Sequence, residues 1–135
     1  MTSFFDTNVF VYAFLEGPKQ DAARAALAAG GAISAQVLNE FVNVMRRKHQ
    51  RSWRDIEKAL SVILERFPDV APLTRATNAA ALTLARDHTL PFYDALIVAA
   101  AVELGCAKLY SEDFQHGRSF GGLAVVDPFR ENAAE

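Results

Sequence analysis

Acidic side chains in four separate segments of the chain have the types and positions needed to bind a metal ion together. Asp6 ends a short apolar run near the N-terminus, and Asp113 follows another apolar run near the opposite end. Glu40 lies within a helical pattern, and Asp94 opens a segment that is apolar nearly all round. Clustered carboxylates repel one another unless a cation neutralises them. Oxygen ligands without clustered His or Cys favour Mg²⁺ or Mn²⁺.

A hard divalent cation at such a site is suited to phosphodiester hydrolysis, because it polarises phosphoryl oxygens and lowers the pKa of water. The hypothesis is that Asp6, Asp94 and Asp113 hold one or two ions, with Glu40 completing the site. A metal-activated water would attack phosphorus in line with the departing 3′ oxygen. The expected products are a 5′-phosphate and a 3′-hydroxyl.

Each acidic residue taken alone also has a structural interpretation. Asp94 would be stabilised in a first helical turn by the helix dipole, and Glu40 would be a solvated helix residue. Asp113 would be a turn or N-cap residue. Glu112 is expected to be exposed rather than to act as a ligand. Asp6 is harder to explain structurally, because a charge that ends a buried strand normally needs a partner.

The elements that must position these acids alternate between strands and helices. Apolar runs predict strands at residues 2–6, 32–34, 69–73, 107–111 and 123–126. Amphipathic or apolar patterns predict helices at residues 9–15, 19–29, 35–50, 53–67, 75–88 and 92–102. Thr74 is expected to cap the helix at 75–88. This order predicts an α/β fold with three α/β/α layers and a mainly parallel sheet of about five strands. Ligands bind at the carboxyl ends of such strands, where Asp6 and Asp113 arrive.

Length and composition predict one domain over residues 1–130, followed by a flexible tail at 131–135. The formal net charge of −2 argues against nucleic-acid binding by bulk positive potential, so a polyanion would need a local basic patch or a metal. The single cysteine, Cys106, fits a reducing compartment and a core position. The absence of an apolar run long enough for a membrane span and of signal-peptide features predicts a cytoplasmic protein with no membrane partner.

The one dense basic segment contains Arg46, Arg47, Lys48 and Arg51, followed by Trp53. Cations near a helix C-terminus are stabilised by the dipole, and this interpretation is slightly preferred. The alternative is RNA binding, with phosphate contacts from the basic residues and a base stacked on Trp53. The remaining chemistry-bearing residues are expected to be structural: Tyr93 packs, and the three scattered histidines lie on the surface rather than forming a metal-free acid–base pair.

Four short motifs resemble those of the PIN-domain nucleases, and in particular the VapC-type toxins of bacterial toxin–antitoxin pairs. The motifs are Asp6-Thr7-Asn8, Asn39-Glu40-Phe41, Tyr93-Asp94-Ala95 and the segment 110–114. The resemblance covers essentially the whole chain, including the late glycine turn at 117–122 and the ending at 125–129.

That resemblance implies an acidic quartet at Asp6, Glu40, Asp94 and Asp113. It also implies supporting roles for Ser111, as a polar helper, for Asn8, which would order the site around Asp6, and for Thr7. The implied activity is that of an Mg²⁺- or Mn²⁺-dependent endoribonuclease, usually dimeric, whose substrate is a transfer or ribosomal RNA. A cognate VapB-type antitoxin would hold it inactive.

Other acidic α/β proteins fit the sequence less well. A receiver-type signalling domain needs an aspartate at the end of the third strand, where Leu73 and Thr74 stand instead. A haloacid-dehalogenase-like phosphatase needs a second aspartate two residues after Asp6, where the chain has Asn8. A catalytically inactive PIN-like module that binds RNA or protein remains an open alternative.

Overall fold

The computed structural model describes residues 2–130, so the tail predicted at 131–135 lies outside the described residues. Within that range strands and helices alternate as the sequence predicts. In chain order they are β1 Ser3–Phe5, α1 Thr7–Phe14, α2 Gln20–Leu27, β2 Ile33–Ser34, α3 Ala35–Arg47, α4 Trp53–Arg66, β3 Val70–Ala71, α5 Arg75–His88, α6 Phe92–Glu103, β4 Lys108–Tyr110, β5 Ser119–Phe120 and β6 Leu123–Val126. None of the described helices is both long and apolar enough to cross a membrane.

The strands form a mainly parallel arrangement, which confirms the predicted α/β fold. Strand β4 lies between β1 and β6 and is parallel to both, while β2 and β3 form a separate parallel pair. A parallel bridge between Phe4 and Ala32 places that pair beside β1, where the Ala32 amide donates to the Ser3 carbonyl at 2.8 Å. The carboxyl ends of β1 and β4 therefore lie side by side at one edge.

One strand was missed by the sequence patterns. Strand β5 is only two residues long and pairs antiparallel with β6. The connecting turn passes through Gly121, whose φ of +62° favours a residue without a side chain. The two residues of β5, Ser119 and Phe120, do not form an apolar run like those that predict the other strands.

The core fixes the site by burying the elements on which it is built. Phe4 and Phe5 of β1 are fully buried, and the Phe5 ring packs edge-on against Phe10 and Phe67. In α6 every residue from 95 to 101 is buried, as its uniformly apolar sequence predicts. Cys106 is also buried, in agreement with its expected core position. The carboxylate after β1 and the first turn of α6 are thus attached directly to deeply buried elements of the fold.

Candidate active site

Asp6 lies immediately after β1 and is almost completely buried, with 2% of its surface exposed. It caps α1, and its Oδ1 accepts a hydrogen bond from the Thr7 amide at 2.7 Å. Its Oδ2 accepts a 2.6 Å hydrogen bond from the Ser111 hydroxyl. Burial raises the pKa of Asp6 from 3.8 to about 7, even though the hydrogen bonds from Ser111 and Thr7 lower it. The sequence argument that this charge needs a partner is therefore supported.

Ser111 is brought to Asp6 by the register of the sheet. Phe5 lies opposite Tyr110 across the parallel pair of β1 and β4, so the residues that follow these strands are neighbours. The Asp6 amide donates to the Tyr110 carbonyl at 3.0 Å, and the Ser111 side chain is fully buried. The same Ser111 oxygen accepts a hydrogen bond from the Asp113 amide at 3.1 Å. One hydroxyl thus links the two predicted metal ligands at the strand ends.

Asp113 faces other negative charges as well as Asp6. Burial raises its pKa, as do the charges of Glu112 and Asp127, whereas a hydrogen bond from Asn8 lowers it. Asp127 follows β6, at the same edge of the sheet, and sequence analysis gave it no role. The sequence signal that could have identified Asp127 is its position directly after the last apolar run, at residues 123–126.

Glu40 enters the site from α3 and is half-buried. Burial raises its pKa to about 6, and the charges of Asp94 and Asp113 raise it further, while Gln36 lowers it. The buried Gln36 donates from Nε2 to the Glu40 carboxylate at 3.1 Å. Sequence analysis missed this contact, although a spacing of four residues places both side chains on the same helical face.

Asp94 reaches the site from the first turn of α6. Burial raises its pKa, and so does the charge of Asp113. The neighbouring Tyr93 does not pack as predicted, because 65% of its surface is exposed. It lines an open cleft of about 410 Å³ together with Val44 and four polar side chains of α3, namely Gln36, Asn39, Glu40 and Asn43. The first turn of α6 projects beyond the core, which is why Tyr93 remains exposed while residues from 95 onward are buried.

The structure therefore gathers all four predicted acids into one electrostatic group. The charges of Asp113 and Glu40 raise the pKa of Asp6, and those of Asp94 and Asp113 raise the pKa of Glu40. The charge of Asp113 also raises the pKa of Asp94. No lysine or arginine of the described chain is among the groups that shift these four pKa values. However, across residues 2–130 no three His, Cys, Asp or Glu side chains already stand close enough together to hold a metal ion.

The donor set nevertheless fits a hard divalent cation. It consists of carboxylate oxygens whose pKa values are raised by burial and by neighbouring carboxylates. The buried Asn8 Oδ1 and Thr7 Oγ1 beside Asp6 are further oxygen atoms that find no hydrogen-bond partner within residues 2–130. A cation would supply the compensation that the protein's own side chains do not provide.

Glu112 differs from its predicted exposed state. Its carboxylate accepts a 2.6 Å hydrogen bond from the Tyr12 hydroxyl and forms a 2.6 Å ion pair with Lys19 Nζ. Lys19 also lies over the Tyr12 ring, at 4.7 Å from its centroid. These contacts tie the loop that carries Asp113 to α1 and to the start of α2. No local sequence pattern indicates these contacts, because the partners are about 100 residues apart.

The predicted RNA-contact residues Arg46, Arg47, Lys48 and Arg51 are all exposed, at the end of α3 and in the turn before α4. None of them forms an ion pair with another residue in the described range. The Arg46 guanidinium lies 4.6 Å from the centroid of the Trp53 ring, and Trp53 is 56% exposed. Trp53 thus begins α4, in agreement with the helix predicted from residue 53, and its ring is also accessible to solvent.

Comparison with known proteins places this arrangement in a family. A family model described as "PIN domain" matches residues 3–118. A chain from a toxin–antitoxin complex of Klebsiella pneumoniae aligns with a TM-score of 0.72 and 23% identity, covering 95% of this chain and 98% of that one. Mycobacterium tuberculosis VapC20, a sarcin–ricin loop cleaving toxin, aligns with a TM-score of 0.70 and 20% identity, over 84% and 90% of the two chains.

A third solved structure, VapBC2 from Rickettsia felis bound to a promoter DNA fragment, aligns with a TM-score of 0.66 and 18% identity over 93% and 97% of the chains. No curated protein sequence matched significantly. The structural likenesses extend over nearly the whole described chain and concern the fold. The family match covers most of the sequence, including Asp6, Glu40, Asp94 and Asp113. The chain belongs to the PIN domain family.

Proposed function

We propose that this protein is an Mg²⁺- or Mn²⁺-dependent endoribonuclease that acts as the toxin of a toxin–antitoxin pair. The observation that carries the proposal is the uncompensated acidic group of Asp6, Glu40, Asp94 and Asp113 at the carboxyl edge of the sheet. The structural neighbours are two toxin–antitoxin complexes and a sarcin–ricin loop cleaving toxin, which supports the proposed role as a toxin.

In this proposal the four carboxylates hold the cation, and Ser111, Asn8 and Thr7 support them. The cation, when bound, supplies Lewis-acid polarisation of the phosphodiester and a water of lowered pKa. Ser111 keeps Oδ2 of Asp6 in one orientation, while the Thr7 amide does the same for Oδ1. Because Ser111 also accepts from the Asp113 backbone amide, it holds the Asp6 carboxylate and the backbone at Asp113 together.

The partners follow from the same comparison. A VapB-type antitoxin is the proposed inhibitor, and a homodimer is the proposed assembly. The RNA substrate is proposed to be a transfer or ribosomal RNA, cleaved in a single-stranded loop whose bases are free to splay out. The exposed cations from Arg46 to Arg51 are proposed to contact its phosphates, since they are free of ion pairs with residues 2–130.

Cleavage of total RNA by the purified protein tests the proposal. We expect cleavage with Mn²⁺ or Mg²⁺, none in excess EDTA, and strong loss in Asp6→Asn and Asp94→Asn. The products should carry 5′-phosphate and 3′-hydroxyl ends. Asp69→Asn is the matched control, because Asp69 is an exposed aspartate outside the site.

Three results would contradict the proposal. Cleavage that persists undiminished in EDTA would exclude a metal-dependent reaction, and 2′,3′-cyclic phosphate ends would exclude attack by water in a single step. RNA or antitoxin binding without any cleavage would favour the alternative, a catalytically inactive PIN-like module.

A further inference from the structure

The cleft between α3 and the start of α6 has a chemical character different from the acidic group beside it. Its lining consists of Gln36, Asn39, Glu40, Asn43 and Val44 from α3 and Tyr93 from α6. Glu40 is the only charged residue in this set, and no lysine or arginine lines the cleft. A phosphate is therefore a poor occupant, whereas a flat, uncharged group with hydrogen-bonding edges fits the lining.

Tyr93 supplies the flat surface for such a group. It is 65% exposed, although a tyrosine in the first turn of an otherwise buried helix would ordinarily pack. Asn39 and Asn43 are exposed amides, each offering a donor and an acceptor to whatever enters. Bases stack on aromatic side chains irrespective of sequence, and amides hydrogen-bond to base edges.

The charges in and near the cleft agree with a nucleotide chain passing through it. Glu40 belongs to the acidic group, and Arg47 lies seven residues further along α3, which is just under two turns and on the same face. The separation along the axis is roughly 10 Å. Arg47 is exposed and forms no ion pair with residues 2–130, so it can meet a phosphate on the far side of the base.

We infer that this cleft is a nucleobase subsite for single-stranded RNA, in which one base stacks on Tyr93 and its edge meets the Asn39 and Asn43 amides. The inference rests on the proposed ribonuclease function and deepens it. It predicts that a base next to the cleaved bond contributes to binding, while the cation and Arg47 receive the flanking phosphates. Recognition then requires an unpaired base, because a base within a duplex has no free face.

The test measures binding separately from cleavage. The Asp6→Asn protein, which lacks one of the repelling charges, is titrated in EDTA against fluorescein-labelled 12-nucleotide strands. The probes are oligouridylate, oligoadenylate and an abasic ribose-phosphate strand of equal length. Fluorescence anisotropy gives the Kd for each strand, and circular dichroism checks that every variant is folded.

We expect both base-bearing strands to bind more tightly than the abasic strand. Adding Tyr93→Ala should weaken their binding about tenfold, the loss of one stacked base, and leave abasic binding unchanged. Tyr93→Phe keeps the ring and should bind within about twofold of the parent. Leu82→Ala is the matched control, because Leu82 is similarly exposed, at 62%, but lies on α5 outside the cleft.

Several outcomes would overturn the inference. These are equal binding of abasic and base-bearing strands, no detectable binding of any base-bearing strand, and a Tyr93→Ala effect that is absent or equal on all strands. Loss of antitoxin binding in Tyr93→Ala with RNA binding intact would assign the cleft to a protein partner instead. If the binding test fails but the wild type cleaves RNA with Mn²⁺, only the subsite is refuted. If the binding test succeeds but the wild type does not cleave RNA, only the proposed ribonuclease function is refuted.

Discussion

The acidic group has two halves that the fold holds in different ways. The strand-end half, Asp6 and Asp113, follows two parallel strands whose register fixes both positions, and Ser111 joins them by hydrogen bonds. The helix half, Glu40 and Asp94, projects from α3 and α6 and is half-buried, whereas Asp113 is exposed and only Asp6 is fully buried. The difference teaches that the Asp6 carboxylate and the backbone at Asp113 are held in place before any ligand arrives. The helix half can adjust its side chains when charge is added.

The largest expected effect separates these halves by activity. Asp6→Asn should lower the single-turnover rate of RNA cleavage at least about 1,000-fold, because it removes an oriented ligand from a unit that acts together. Glu40→Gln should cost less, about 10- to 100-fold, since its side chain is less constrained. A Glu40→Gln rate equal to or below that of Asp6→Asn would remove the distinction between the halves.

The pH dependence of stability provides a second comparison. The pKa of Asp6 is about 7 in the folded protein against 3.8 as its reference value, so the folded state binds more protons between these limits. The contribution of Asp6 to the free energy of unfolding is fully present below pH 4 and is lost as the pH rises to 7, by about 4 kcal/mol in metal-free buffer. Urea unfolding at several pH values measures this loss.

Asp6→Asn is the control for that titration, because the amide keeps the shape of the side chain without its charge. It should match the wild type near pH 4 and exceed its stability at pH 8. A variant whose unfolding free energy falls with pH as steeply as the wild type would show that another group is responsible.

Ser111 gives a smaller effect that is specific to the strand-end half. Ser111→Ala removes the hydrogen bond that lowers the pKa of Asp6, so that pKa should rise. Cleavage should fall about tenfold at pH 7, and the acidic limb of its pH–rate profile should move to higher pH. Ser111→Thr retains the hydroxyl and should keep the wild-type profile. A uniform loss of rate at every pH would indicate a merely structural role.

Much of the fold was predictable because its elements carry strong local patterns. The uniformly apolar α6 and the amphipathic α3 and α4 appear close to their predicted positions, and Thr74 caps α5 as expected, accepting from the Thr77 amide at 3.1 Å. Asp6 and Asp113 were predicted to be neighbours because residues that follow parallel strands share one edge, while a metal-binding role for the four acids stays a prediction. Strand β3 is shorter than the predicted range 69–73 and ends at Ala71, because Pro72 has no amide hydrogen to donate to a sheet.

The rest depends on contacts between distant segments or on the exact reach of a helix. The ties of Glu112 to Tyr12 and Lys19 join residues with no shared local pattern. The exposure of Tyr93 depends on how far α6 extends beyond the core, which hydrophobic periodicity does not encode. The contact of Gln36 with Glu40 became visible only with the side-chain positions.

The central claim is that the acidic group binds a divalent cation, and thermal unfolding with increasing Mn²⁺ at pH 8 tests it most directly. The Tm of the wild type should rise with Mn²⁺ concentration, because binding to the folded state stabilises it by mass action. Asp6→Asn should start from an equal or higher Tm and respond much less. A wild-type Tm that is independent of Mn²⁺, or an equal rise in both proteins, would contradict the account.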